Sequence, residues 1–152
     1  MEHLHVAQLN IGRLHHPLDA DESAEFSAAL EPINALAEAT PGFVWRLVDD
    51  QGQSSSYVRL PGEDDPLNIV NMSVWADLDS LHHFVHRSGH AMYLRRRREW
   101  FERSDVATSV CWWIHAGEIP DLVDAHRRLV LLREHGPTAH GWPLGSPVPP
   151  EV

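Results

Sequence analysis

Apolar and polar positions alternate along residues 3–12, "HLHVAQLNIG", with Val6, Gln8 and Asn10 on one side and His5, Ala7, Leu9 and Ile11 on the other. A period of two predicts a strand. After "HHPLDADES" the period changes: Phe26, Ala29, Leu30, Ile33, Leu36 and Ala37 recur at helical spacing. This predicts a helix to about Ala39, ended by "TPG", with Asp19 or Asp21 as its cap. Pro32 removes a hydrogen-bond donor inside it, so a kink or a helix broken in two is expected. "FVWRLVD", residues 43–49, reads as a second strand, followed by the loop-like "DQGQSSS", a short "YVRL" and the turn cluster "PGEDDP". "LNIVNMSVWA", residues 67–76, is a third strand, setting Asn68, Val70, Met72 and Val74 against Ile69, Asn71, Ser73 and Trp75.

Asp77 or Asp79 then caps a helix with Leu78, Leu81, Phe84 and Val85 inward. Gly89 is expected to interrupt it, since glycine costs roughly 1 kcal/mol against alanine in a helix. The helix resumes through Trp100 and Phe101. "VATSVCWWIHAG", residues 106–117, is a fourth strand, and Pro120 opens a last helix over 121–135 that stops at Gly136-Pro137. The order β-α-β-β-α-β plus one helix is the α+β, ferredoxin-like split βαβ arrangement. One domain over residues 1–136 is expected, with a proline- and glycine-rich tail over 137–152. Such a sheet carries helices on one face, and its open face is commonly buried against a second copy. Here that face would hold polar and aromatic groups, which predicts a homodimer.

Composition narrows the class. At 152 residues, 43% hydrophobic and 22% charged, the chain can fold around its own core without a metal or disulfide staple. Its one cysteine, Cys111, leaves no intramolecular disulfide, and "MEHLHVAQLNIGRL" lacks the basic start and apolar run of a secretory signal, so a cytoplasmic location is expected. No stretch reaches the roughly 18 apolar residues of a membrane span. A formal net charge of −10 argues against nucleic acid and leaves a small molecule or another protein as partner. Protonating the twelve histidines below about pH 6 would cancel most of that charge, so solubility should worsen in mild acid.

"PGFVWRL" at 41–47, "NMSVW" at 71–75, "RSGHAMYLRRRREWF" at 87–101, "CWWIHAG" at 111–117 and "REHGPTAHGW" at 133–142 carry a resemblance over almost the whole chain. Together they resemble a bacterial family of unknown function in the dimeric α+β barrel superfamily, which contains the antibiotic-biosynthesis monooxygenases. The resemblance implies the fold; fold does not fix function. The superfamily includes cofactor-free oxygenases of phenolic substrates, haem-binding enzymes and muconolactone isomerase-like proteins, and none of their catalytic motifs carries over residue by residue. The chain departs from the family pattern at His86, where that pattern has an aromatic residue, and near Glu118, where it has a histidine. Only His90 of the histidine cluster belongs to the shared block.

"HHFVHRSGHAMYLRRRREWF", residues 82–101, concentrates the candidate chemistry. His82, His86 and His90 fall at i, i+4 and i+8, a metal-ligand spacing that lacks a third ligand of known placement; as readily, His82, His83 and His86 are solvated residues beside the apolar line. No metal is assigned. His90, Leu94, Arg97 and Phe101 share a helical face with Tyr93 and Trp100 beside it. His90 can be a general base or an axial haem ligand, with Arg97 pairing a carboxylate, or else a core-edge histidine bonded to backbone. Arg95, Arg96 and Arg98 read as a solvated face pairing with Glu99 and Glu102.

The run Asn71, Ser73, Trp75 is too polar for a face packed on helices, which places it toward the barrel interior with Gln8, Asn10 and either Trp45 or Arg46. Trp112 and Trp113 point to opposite faces, and one must enter the cavity. The candidate site is therefore His90 and Arg97 for catalysis, with Asn10, Trp45, Asn71, Ser73, Trp100 and Trp112 binding ligand. An aromatic cavity with a few fixed amides suits a flat hydrophobic molecule, although tryptophans are also ordinary core residues. Cys111 reads as a small buried hydrophobe. Three functions follow: a small monooxygenase-like oxidoreductase without cofactor, or with haem on His90; a non-enzymatic ligand-binding dimer; or a cyclase or isomerase.

Overall fold

The computed structural model describes residues 3–49, 60 and 65–151. Strand β1 spans Leu4–Arg13, helix α1 Ala24–Ala39, β2 Phe43–Arg46, β3 Asn68–Trp75, α2 Leu78–Arg87, α3 His90–Arg95, β4 Ser109–His115 and α4 Leu122–His135. The four strands form one antiparallel sheet in the order β2-β3-β1-β4. This is the ferredoxin-like α+β arrangement that the order of periods predicts. "YVRL" and most of "PGEDDP" lie outside the described residues; Leu60 and Asp65-Pro66 are the described ends, and Leu60 is buried.

The period of two sorts the sheet into two faces. On one, Ala7, Leu9, Val70, Met72, Val74, Val110 and Trp112 pack under Ala125, Leu129 and Leu132 of α4. On the other, Val6, Trp75 and Cys111 pack with Ala37 of α1 and Leu81 of α2. The polar and aromatic face expected to lie open, with Asn71, Ser73 and Trp75, is instead on the side of α1, α2 and α3. Polar side chains sit beneath helices there because a cavity separates the two layers. The opposite face is apolar, and the chain's own last helix covers it.

Several local expectations are corrected. Helix α1 runs unbroken through Pro32, and its N-cap is Ser23, the last residue of a 3-10 turn at Asp21–Ser23, which makes no side-chain cap bond. Strand β2 stops at Arg46, with a register shift against β3 between Phe43 and Trp45. The helix after Gly89 does not reach Phe101: α3 ends at Arg95, and a 3-10 turn at Arg97–Glu99 leads to an isolated bridge between Phe101 and Leu14. Asp77 caps α2, its carboxylate accepting from Ser80 N at 2.8 Å, and Asp121 caps α4.

The proline-rich tail lies on its own sheet. Cys111 and Trp142 exchange backbone hydrogen bonds of 2.7 and 2.9 Å, which satisfies part of the outer edge of β4. Trp142 is fully buried, its ring 5.3 Å from that of Trp113, and Trp113 Nε1 donates to the Val148 carbonyl at 2.7 Å. Among the described residues no helix is long and apolar enough to cross a membrane.

Candidate functional site

A cavity of about 170 Å³ lies between the sheet and helices α1, α2 and α3. Its sheet side is built by alternation: Asn10 of β1 and Asn71 of β3 are cross-strand partners, as are Gln8 and Ser73 one pair further in. Gln8 Nε2 donates to Asn71 Oδ1 at 2.7 Å and to Ser73 Oγ at 2.9 Å. Trp75 Nε1 donates to the same Ser73 oxygen at 2.9 Å. With two donors on its oxygen, the Ser73 hydroxyl keeps its own proton to donate. The cavity wall is aromatic: Phe43 meets Trp75 edge-on at 5.5 Å, Trp75 stacks on Phe84 at 5.1 Å, and Phe84 lies 4.9 Å from the His90 ring.

His90 is held by the end of α2. Its Nδ1 is 3.2 Å from the Val85 carbonyl, so that nitrogen must carry the proton, and Nε2 is left as an acceptor with no protein partner among the described residues. Burial pushes its pKa down from the ordinary histidine value, opposed by the Val85 carbonyl and aided by nearby His86. The ring is therefore a neutral base at neutral pH, with an open lone pair in an aromatic cavity.

Arg97, in the turn after α3, also lines the cavity and is half-buried. Its side chain has no hydrogen-bond or carboxylate partner among the described residues. Its neighbour Arg96 differs: it pairs with Glu25 at 2.6 Å and Glu99 at 2.6 Å, lies 4.9 Å over the Trp100 ring, and is held fully charged by those carboxylates.

Of the residues expected from sequence, the structure brings Asn10, Asn71, Ser73, His90 and Arg97 to this one cavity. Three tryptophans are corrected. Trp112 is buried on the opposite face, under Arg128 of α4 at 5.4 Å. The register shift in β2 turns Trp45 to that face too, and Arg46 lines the cavity instead. Trp100 follows the early end of α3 and is buried in a satellite cluster with Leu14 and Ile69. Trp113 is covered by the tail, so neither member of the Trp112–Trp113 pair enters the cavity. Trp75 lines the cavity with Asn71 and Ser73, on the face where its strand's alternation put it, whereas Phe43, Phe84 and Asn34 are lining residues that sequence reading missed. Inward helix positions such as Phe84 carry the same signal whether they meet packed core or empty space.

Cys111 is buried, which pushes its thiol up to about 12 and leaves it unreactive. The His82 and His86 rings stack at 5.6 Å, and among the described residues no group of three or more metal-ligating side chains forms.

Comparison with known proteins adds three observations. The model of a domain of unknown function, DUF3291, matches residues 5–152. None of the curated proteins matches the chain. Among solved structures, SnoaB from Streptomyces nogalater, described as a cofactor-independent oxygenase, is 20% identical over 76% of this chain and 95% of its own, with a TM-score of 0.49. NE2512 from Nitrosomonas europaea, a protein of unknown function, is 11% identical over 80% of this chain and 99% of its own, with a TM-score of 0.47. Overlap at that level carries no information about chemistry.

Proposed function

The chain belongs to the DUF3291 family, a domain of unknown function, so its activity has to come from its own residues, and we propose that it is a small monooxygenase-like oxidoreductase acting on a flat phenolic molecule bound in the cavity. The observation that carries this reading is His90, a neutral imidazole that lines an aromatic cavity with its Nδ1 proton committed to Val85 and its Nε2 without a protein partner among the described residues. Phe84, Trp75 and Phe43 offer faces for a flat ring. His90 Nε2 takes the phenolic proton, and the Ser73 hydroxyl stabilises the phenolate oxygen by a hydrogen bond. An electron-rich phenolate with an open ring position reacts with molecular oxygen, and a phenol plus O2 gives a quinone plus water, with O2 as the oxidant.

The haem alternative on His90 is not supported by the cavity. About 170 Å³ is close to the roughly 150 Å³ that encloses a single benzene ring, and a porphyrin is several times larger. We further propose a homodimer, now on the ground of apolar side chains left exposed at the start of α4, Ile119 and Val123.

Oxygen uptake with a panel of one- and two-ring phenols, in chelator and without added cofactor, tests the activity. Expected are one O2 consumed per quinone formed and a loss of about 10²–10⁴-fold in kcat/KM for His90→Ala. The wild-type rate should rise with pH through a pKa below the usual histidine value and then stay level, because only the neutral ring is a base. Saturable binding with no oxygen uptake would end the oxygenase reading.

A further inference from the structure

In a chain of net charge −10, no aspartate or glutamate is found among the described residues lining the cavity, whereas two arginines are. Their partners separate them. Among the described residues the half-buried arginines are Arg46, Arg96, Arg97 and Arg128. Three have a carboxylate: Glu38 holds Arg46 at 2.7 Å, Glu25 and Glu99 hold Arg96, and Asp124 holds Arg128 at 2.8 Å. Arg97 alone has none, and it lines the cavity. Arg46 adds a related feature, since its Nη1 is buried with no acceptor among the described residues.

We infer that the cavity selects an aromatic carboxylate, with Arg97 as the residue that binds the carboxylate group. This rests on the cavity being the substrate site proposed above and names the class of substrate within it. The physical ground is that a guanidinium partly withdrawn from water binds a carboxylate through two parallel, charge-assisted hydrogen bonds, and nothing else described at this site competes for it. His90 is neutral for the reason already given, so Arg97 supplies the uncompensated charge. A neutral phenol would leave that charge unmatched, and an aromatic cation would be repelled by it. The amides of Asn10 and Asn71, cross-strand partners on the two central strands, can position the rest of a ring without adding charge.

The test compares 4-hydroxybenzoate with 4-hydroxybenzamide, two ligands of nearly equal size and shape that differ in charge, by calorimetric titration of the full chain at pH 7.5. Wild type is expected to bind the carboxylate about tenfold or more tighter than the amide. Arg97→Gln should bring the carboxylate and amide affinities together, with unchanged circular dichroism showing that the variant is folded. Arg97→Lys should restore part of the difference. Equal binding of the two ligands by wild type, a preference that survives in Arg97→Gln, or binding of neither ligand would overturn the inference. Oxygen uptake separates this from the proposed activity. A carboxylate preference without oxygen uptake leaves the inference standing and removes the oxygenase. Oxygen uptake as fast with neutral phenols as with their carboxylates does the reverse.

Discussion

The Ser73 hydroxyl is 7% exposed and accepts two hydrogen bonds, from Gln8 and from the fully buried Trp75. Replacing it by alanine leaves the Trp75 N–H without an acceptor in a place water does not reach. Ser73→Ala is therefore expected to lose about 1–3 kcal/mol in urea denaturation, whatever its effect on activity. A loss below about 0.5 kcal/mol would mean that another acceptor or water replaces the hydroxyl. At this scale the sequence is a good guide where side-chain chemistry is unusual for its element. Asn71 and Ser73 in the middle of a strand, and His90 with Arg97 beside aromatic residues, are polar groups that an ordinary core would not hold, and all four line the cavity. It is a poor guide for Trp45, Trp100 and Trp112, because a tryptophan is at home in any buried place. Which place each takes depends on a register shift, an early helix end and a face assignment that lie outside the residue itself.

Elements meet most tightly at Gly42, between α1 and β2. Its φ is +92°, and a Cβ there would lie 2.0 Å from Ser80 Oγ and 2.4 Å from Ser80 Cβ in the first turn of α2. Its carbonyl accepts from Ala76 N at 2.7 Å, so turn and helix start cannot move apart freely. Gly42→Ala combines backbone strain with this overlap and is expected to cost about 2–4 kcal/mol, read as a fall in thermal midpoint. On a Ser80→Gly background the same change should cost less, because the overlap is gone and the strain remains. Equal costs on both backgrounds would assign the effect to backbone strain alone. The break between α2 and α3 shows the limit of reading glycine as an interrupter. Gly89 has ordinary helical angles, φ −58° and ψ −22°, and it is Ser88 that is extended. The Ser88 hydroxyl donates to the Phe84 carbonyl and its oxygen accepts from His90 N, ending one helix and starting the next. The break could be read from sequence, but its cause is a serine bonding locally to backbone, and that bonding delivers His90 to the Val85 carbonyl.

Across the whole molecule, the order of elements was legible because period two and period 3.6 alternate cleanly. The layering was not, because a strand with one polar face does not say which covering element stands over it. The polar face expected to meet a second copy proved to be under α1, α2 and α3, across the cavity, and α4 covers the apolar face behind it. That changes what a homodimer has to use. The edge of β4 is engaged by the tail through Trp142, and the inner face of α4 is spent on Ala125, Leu129 and Leu132. Exposed apolar surface remains where the chain enters α4, with Ile119 68% and Val123 58% exposed. A stable dimer buries about 800 Å² per partner, so these two would be the centre of a patch extending along the outer face of the helix. Sedimentation equilibrium of the wild type should then give twice the 17.2 kDa chain mass, and Ile119→Glu with Val123→Glu should give the single-chain mass with unchanged circular dichroism. The cavity lies on the opposite side of the sheet, so 4-hydroxybenzoate affinity should be the same in both forms. A wild type that sediments as one chain would remove the homodimer, and a double variant that stays at twice the mass would move the interface away from α4.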